Sequence, residues 1–282
     1  MQQKQGPIGV FDSGYGGLTV LKEFVNILPA YDFIYLGDNA RAPYGNRSFD
    51  TVYQYTWQCV QWFFKQGCSL VILACNTASA KALRTIQQKN LTILPEYKRV
   101  LGVIRPTTEI VGNYTDSGHI GILATTGTVQ SNSYVIEIEK LFPGVTVFQQ
   151  PCPMWVPLIE NNEYESKGAD FFVKEYIHSL LHQSARIDTV ILACTHYPLL
   201  LHKINEYMPV DIKIISQGTI VAKGLADYLE RHPEMDDLCS KTGKVHFFTT
   251  DDTNDFNTKA AIFYGSEVQS DHIDLQKEGF SA

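Results

Sequence analysis

The feature that most constrains this 282-residue sequence is a series of short, unbroken apolar runs at 8–11, 32–36, 70–74, 100–103, 120–124, 145–148, 189–193 and 212–215. They are continuous rather than alternating, which is how parallel strands covered on both faces read. The segments between them carry helical spacing. In 51–66, Val52, Tyr55, Cys59, Trp62 and Phe63 fall on one side, and in 170–182 the apolar side is Phe171, Phe172, Tyr176, Ile177, Leu180 and Leu181. Cys59 sits on the apolar side and reads as packing. Strands alternating with helices specify an α/β fold with largely parallel sheets. The length suits about two domains.

The chain also resembles itself. Val71-Ile72-Leu73-Ala74-Cys75-Asn76-Thr77 matches Val190-Ile191-Leu192-Ala193-Cys194-Thr195-His196 at an offset of 119 residues. Ile8-Gly9-Val10-Phe11-Asp12-Ser13-Gly14 matches Ile120-Gly121-Ile122-Leu123-Ala124-Thr125-Thr126 at an offset of 112. Two matches in the same order predict two similar three-layer α/β halves. No linker rich in Gly, Ser or Pro separates them, so they should pack closely. Residues 265–282 are polar and read as a mobile tail.

Composition excludes several function classes. Lys and Arg number 23 against 30 Asp and Glu, a net charge of -7, which argues against a nucleic-acid-coating role. No apolar stretch is long enough to span a membrane, and the first residues carry no signal-peptide pattern. Six cysteines are too few for a disulfide-stapled scaffold, so a cytoplasmic protein with reduced thiols is expected.

The cysteines carry the chemistry. Cys75 and Cys194 each stand at the carboxyl end of an apolar run, before a segment suited to begin a helix. Ligands of open α/β sheets bind outside those strand ends. One such cysteine reads as a buried small hydrophobe; two at equivalent places point to a shared task. No Cys-x-x-Cys redox pair is present, and neither cysteine has the local spacing of structural zinc. His178 and His182 lack the intervening glutamate of a zinc-protease helix and read as a polar helix face. Opposed thiols suit racemisation of a carbon acid, in which one face loses a proton and the other gains one. A thiol titrates near enough to neutral pH to serve as base or acid. Asp12 and Ser13 lie where they could reach Cys75, though Asp12 reads equally as a turn or cap residue. His196 follows Cys194 by two positions.

Gly14-Tyr15-Gly16-Gly17 is not a dinucleotide fingerprint, because Thr19 stands at the third glycine position. It marks either close backbone approach to a small ligand or a tight turn. Gly243-Lys244 is not a P-loop, since Leu238 replaces the leading glycine. Nothing in the sequence calls for a metal, nucleotide or pyridoxal cofactor.

Five stretches together resemble the glutamate racemases, cofactor-independent amino-acid racemases, over about residues 8 to 265. They are Phe11-Asp12-Ser13-Gly14-Tyr15-Gly16-Gly17-Leu18-Thr19-Val20, Gly37-Asp38-Asn39-Ala40-Arg41-Ala42-Pro43-Tyr44-Gly45, Ala74-Cys75-Asn76-Thr77-Ala78, Trp155-Val156-Pro157-Leu158-Ile159-Glu160 and Cys194-Thr195-His196-Tyr197-Pro198-Leu199-Leu200. Phe247-Phe248-Thr249-Thr250-Asp251 is also similar to the family's ending. The resemblance implies an active site between two α/β domains, 1–101 with 217–282 and 102–216. It implies Cys75 and Cys194 as acid/base residues on opposite faces of Cα. Asp12 would assist Cys75, and Glu160 with His196 would assist Cys194. Substrate binding would fall to Asp12, Ser13, Pro43, Tyr44, Gly45, Asn76, Thr77, Thr195 and His196. The substrate would be glutamate, the product D-glutamate for peptidoglycan, and the assembly a homodimer.

Ser216-Gln217-Gly218 departs from the Asp-Ser-Gly or Asn-Ser-Gly of many members, which weakens any role for that turn. Only about seven residues precede the first strand, so regulation by a cell-wall precursor, which accompanies a longer extension, is not expected. The rival readings are a racemase for aspartate or another acidic amino acid, a non-catalytic binding protein on the same fold, and a disulfide-switched protein.

Overall fold

The computed structural model describes residues 4–277 and 279. Each apolar run forms a strand: β1 (Ile8–Asp12), β2 (Phe33–Gly37), β3 (Leu70–Leu73), β4 (Arg99–Gly102), β5 (His119–Ala124), β6 (Thr146–Pro151), β7 (Thr189–Ala193) and β8 (Lys213–Ser216). Two more, β9 (Val245–Thr249) and β10 (Ser270–His272), follow late in the chain. They make two parallel sheets, ordered β10-β9-β2-β1-β3-β4 and β6-β5-β7-β8. The order β2-β1-β3-β4 is repeated as β6-β5-β7-β8, so the sequence repeat is a repeat of topology. Phe11 pairs with Leu73 in one sheet and Leu123 with Leu192 in the other.

Every residue of the central strands β1, β2, β3 and β7 is buried, as continuous apolar runs require. The edge strands β4, β6 and β8 are partly exposed, because each has a neighbour on one side only. The helix Phe49–Lys65 starts on Ser48, whose side chain accepts from the Thr51 amide, and buries Val52, Cys59, Trp62 and Phe63 as the spacing predicts. In the helix Lys167–Leu181 the buried residues are Ala169, Val173, Ile177 and Leu180. Phe171, expected on that face, is instead 62% exposed and packs edge-on against Phe172. Small Ala169 occupies the inward turn, which leaves Phe171 on the outer side.

The chain passes from the first sheet to the second through the helix Ile104–Val111 and returns through the helix Gly218–Arg231, which packs on the helix Leu18–Ile27. The returning segment adds β9 beside β2. The expected mobile tail is corrected in part: β10 pairs with β9, and Val268 and Leu275 are buried. A strand pairs through its backbone, so its polar side chains gave no warning. Residues 278 and 280–282 lie outside the described residues. Among the described residues no helix is long and apolar enough to cross a membrane.

Asp32 ties the returning segment to the first sheet. Its carboxylate accepts from the Thr242 amide at 2.9 Å, the Thr242 hydroxyl at 2.8 Å and the Lys244 amide at 2.9 Å. Burial opposes its charge, but these donors and the Ser240 side chain outweigh it and hold the carboxyl at about 2. A carboxyl depressed in the folded state stabilises above its unfolded value, near 4, and loses that contribution as pH falls toward 2. Asp32→Ala should therefore cost about 1–3 kcal/mol near neutral pH, from the loss of hydrogen bonds to a charged carboxylate. Urea unfolding at a series of pH values should show the two proteins converging in acid. A gap that stays constant with pH would rule out this account of Asp32.

Candidate active site

The carboxyl ends of β1, β3 and β7 bring Asp12, Cys75 and Cys194 to the seam between the sheets. A cavity of about 50 Å³ lies there. Its wall includes Ser13, Pro43, Tyr44, Gly45, Cys75, Asn76, Thr77, Glu160, Cys194, Thr195 and His196. Of the residues expected in the site, only Asp12 is set behind the wall, 1% exposed.

The two thiols have unlike surroundings. Cys75 Sγ lies 3.4 Å from Ser13 Oγ and accepts from the Ala78 amide at 3.4 Å. Burial, reinforced by the nearby Asp12 charge, pushes its thiol up to about 12 against the pull of those two donors. Cys194 Sγ lies 3.8 Å from His196 Nδ1, and His196 Nε2 lies 2.9 Å from Glu160 Oε1. Burial disfavours the imidazolium, but the Cys194 sulfur and the Glu160 carboxylate outweigh it, so His196 is raised well above its ordinary value. The expected helpers of Cys194 are thus in line behind it. Beside Cys75 the adjacent group is the Ser13 hydroxyl. Asp12 accepts from the Gly14 amide at 2.9 Å and from the Thr195 hydroxyl at 3.4 Å. Burial raises its carboxyl, opposed by the His196 charge and the Gly14 and Gly17 amides.

The halves are stitched across the cavity. Thr77 Oγ1 and Thr125 Oγ1 are 2.9 Å apart, and the Gly127 amide donates to the Gly45 carbonyl at 2.8 Å. Tyr44 is pinned in the wall because its hydroxyl donates to Asp38, which Arg41 Nε also contacts at 2.7 Å. The glycine cluster serves the same seam. A Cβ on Gly16 would lie 2.3 Å from Thr195 Oγ1 and 2.4 Å from His196 Nδ1. The close approach that the glycines permit is to these side chains of the other half, which neither the ligand nor the turn reading anticipated.

Sequence reasoning missed Asn46, Thr125, Thr126, Cys152, Pro153, Val156 and Pro157 on the wall. Thr125 had a signal, since the repeat places it opposite Ser13. Asn46, Thr126, Cys152 and Pro153 had none. All six cysteines are free and buried. His178 and His182 are exposed, as a polar helix face requires. Among the described residues no cluster of three His, Cys, Asp or Glu is arranged to hold a metal ion.

Residues 8–223 match the family described as Asp/Glu/Hydantoin racemase. The chain is 38% identical over 270 residues to a glutamate racemase of Persephonella marina, covering 96% of this chain and 98% of that one. Its structure is similar to that of a glutamate racemase isoform from Bacillus anthracis, with TM-score 0.87, 33% identity and coverage of 96% and 98%. It is also similar to glutamate racemase from Francisella tularensis in complex with D-glutamate, with TM-score 0.85, 32% identity and coverage of 98% and 100%.

The tight fit at Gly16 has a measurable consequence. Gly16→Ala should destabilise the fold by about 1–3 kcal/mol, because the added methyl must displace Thr195 or His196. Gly144→Ala, where a Cβ meets nothing within 4 Å, is the control and should be near neutral. Denaturant midpoints of the two variants check this, and equal midpoints would refute the packing argument.

Proposed function

The chain belongs to the Asp/Glu/Hydantoin racemase family, and we propose that it interconverts L- and D-glutamate by a two-thiol proton transfer at Cα, without a cofactor. The observation that carries this reading is that two thiols, Cys75 and Cys194, enter one cavity from equivalent strand ends of two repeated halves. A carbon held between them has one sulfur on each face. One thiolate takes the Cα proton, and the bonding electrons pass into the substrate carboxylate as an enediolate. The opposite thiol then gives its proton to the other face. One thiol and one thiolate enter the turnover and leave it exchanged, so protons and charge balance.

The surroundings of the two thiols offer unlike partners. The raised Cys75 thiol keeps its proton at neutral pH and suits the donor. Cys194 has the His196 imidazole beside it, backed by Glu160, to stabilise its thiolate or accept its proton. In the opposite direction Cys75 must first be ionised, and the Ser13 hydroxyl and Ala78 amide are the donors that would hold that charge. Asn76, Thr77 and Thr195 would supply hydrogen bonds that bind the substrate carboxylates. Pro43, Tyr44 and Gly45 would form the opposite wall. On this reading the two sheets belong to two domains, 1–101 with 217–282 and 102–216. The protein works as a cytoplasmic homodimer, and its D-glutamate supplies peptidoglycan.

The proton itself is the test. In heavy water, D-glutamate formed early from L-glutamate should carry deuterium at Cα while the remaining L-glutamate stays protiated, and the same should hold in reverse. This follows when the donor thiol has exchanged with solvent before each turnover. Mass spectrometry of the separated enantiomers at low conversion reads it. Early product that keeps protium in both directions overturns the two-thiol assignment.

Single replacements give a second test. Cys75→Ala and Cys194→Ala should each lower racemisation by at least about 10²-fold in both directions, with unchanged circular dichroism. Activity should survive chelation, and aspartate should be turned over poorly. Substantial racemisation in either variant, or preference for aspartate, contradicts the proposal.

A further inference from the structure

We propose that Gln217 is a positioning residue that orients the Asn76 amide toward the substrate, an inference that rests on reading the cavity as a glutamate site. Gln217 is 5% exposed and stands where the chain leaves β8 to return to the first sheet. Its side chain closes a ring of three hydrogen bonds. Asn76 Nδ2 donates to Gln217 Oε1 at 2.7 Å, Gln217 Nε2 donates to Tyr134 Oη at 2.6 Å, and Tyr134 Oη donates to Asn76 Oδ1 at 2.7 Å. All three residues are buried.

A ring of two amides and a hydroxyl could run in either direction, and one neighbour selects the direction. Thr107 Oγ1 donates to the Val103 carbonyl at 3.0 Å. Its single hydrogen is thereby used, so toward Gln217 it accepts, at 2.9 Å from Nε2. That sets the Gln217 amide with nitrogen toward Thr107 and Tyr134 and oxygen toward Asn76. The Asn76 amide is set in turn: its oxygen takes the Tyr134 proton, and one N–H is spent on Gln217. The second N–H remains as a donor, on a side chain that lines the cavity beside Cys75. A substrate carboxylate needs a donor there, and the reversed amide would offer a lone pair and repel it.

The ring also joins the two crossings between sheets. Thr107 lies in the outgoing helix, Gln217 at the start of the returning one, and Tyr134 in the helix Ser133–Leu141 of the second half. Asn76 belongs to the first half, so its orientation depends on how the halves are docked. The Ser216-Gln217-Gly218 turn, discounted in the sequence because it departs from other members, acquires a role through this long side chain.

The test is kinetic, with Gln217→Met, which keeps the length and removes donor and acceptor. In folded variant protein the KM for glutamate should rise about tenfold, the cost of losing one oriented bond to a charged group. The kcat should stay within about threefold of the unaltered enzyme, because binding rather than proton transfer is touched. In an Asn76→Ala background the same change should raise KM no further. An unchanged KM with only a lowered melting temperature, or an effect fully additive with Asn76→Ala, overturns the inference. Should Gln217→Met fail to fold, Tyr134→Phe removes the donor to Asn76 Oδ1, and its folded protein should show the same rise in KM; no rise would overturn the inference. Failure of the unaltered chain to racemise glutamate would instead count against the functional reading. The ring is then judged by the Asn76 side-chain amide resonances, which Gln217→Met should shift and, if it leaves them in place, would disprove.

Discussion

Polar groups buried at the seam between two sheets must find their partners across it, and much of the site's geometry follows from that requirement. Asp12, Asn76, Thr77, Thr195 and His196 are all nearly inaccessible to solvent. An unpaired buried polar group costs about 1–3 kcal/mol, so each such group favours a docking of the halves that satisfies it. Thr195 reaches Asp12, Thr77 reaches Thr125, and Asn76 reaches Gln217 and Tyr134. The backbone takes part as well: Thr19 donates to the Thr195 carbonyl at 3.1 Å, and a glycine at position 16 lets the loop lie against His196. These bonds hold two thiols from different halves around one small cavity.

The duplicated topology supplies two equivalent strand ends, but the seam makes them chemically unequal. At one, a thiol is surrounded by apolar burial, a hydroxyl, an amide and the Asp12 charge. At the other, a thiol faces an imidazole backed by a carboxylate. Residues at matching repeat positions have diverged accordingly: Thr77 in one half corresponds to His196 in the other. A reaction with opposite proton transfers on two faces can use such inequality, since one group must hold a proton while the other lacks it.

Much of the architecture was legible in the chain. Continuous apolar runs identified eight of the ten strands among the described residues, because a strand covered on both faces has no polar side to encode. The strands at 245–249 and 270–272 were missed for the opposite reason. His246 interrupts the first, and the second is Ser270-Asp271-His272, held by backbone pairing that leaves no mark on side-chain polarity. Phe171 shows the limit of periodicity, since a helix with apolar residues on more than one side does not say which side is inward. Cys75 and Cys194 stood out because the repeat placed them at matching positions. The Pro43-Tyr44-Gly45 turn drew attention through family resemblance alone, and the structure gives the physical reason: Tyr44 is anchored on Asp38, and the Gly45 carbonyl accepts an amide of the other half.

The sequence by itself determined the α/β class, the doubled topology, the ends of the central strands and the two cysteines that cap them. These depend on local periodicity and on comparison of the chain with itself. Tertiary structure decided the partners. Of the two residues expected within reach of Cys75, Ser13 is the one whose side chain touches it, while Asp12 turns its carboxylate to Gly14 and Thr195. Gln217 bonds to Asn76 from 141 positions away, and Thr195 to Asp12 from 183. No local pattern can encode such pairings, because they arise only when two independently patterned sheets dock and their buried donors and acceptors must be matched.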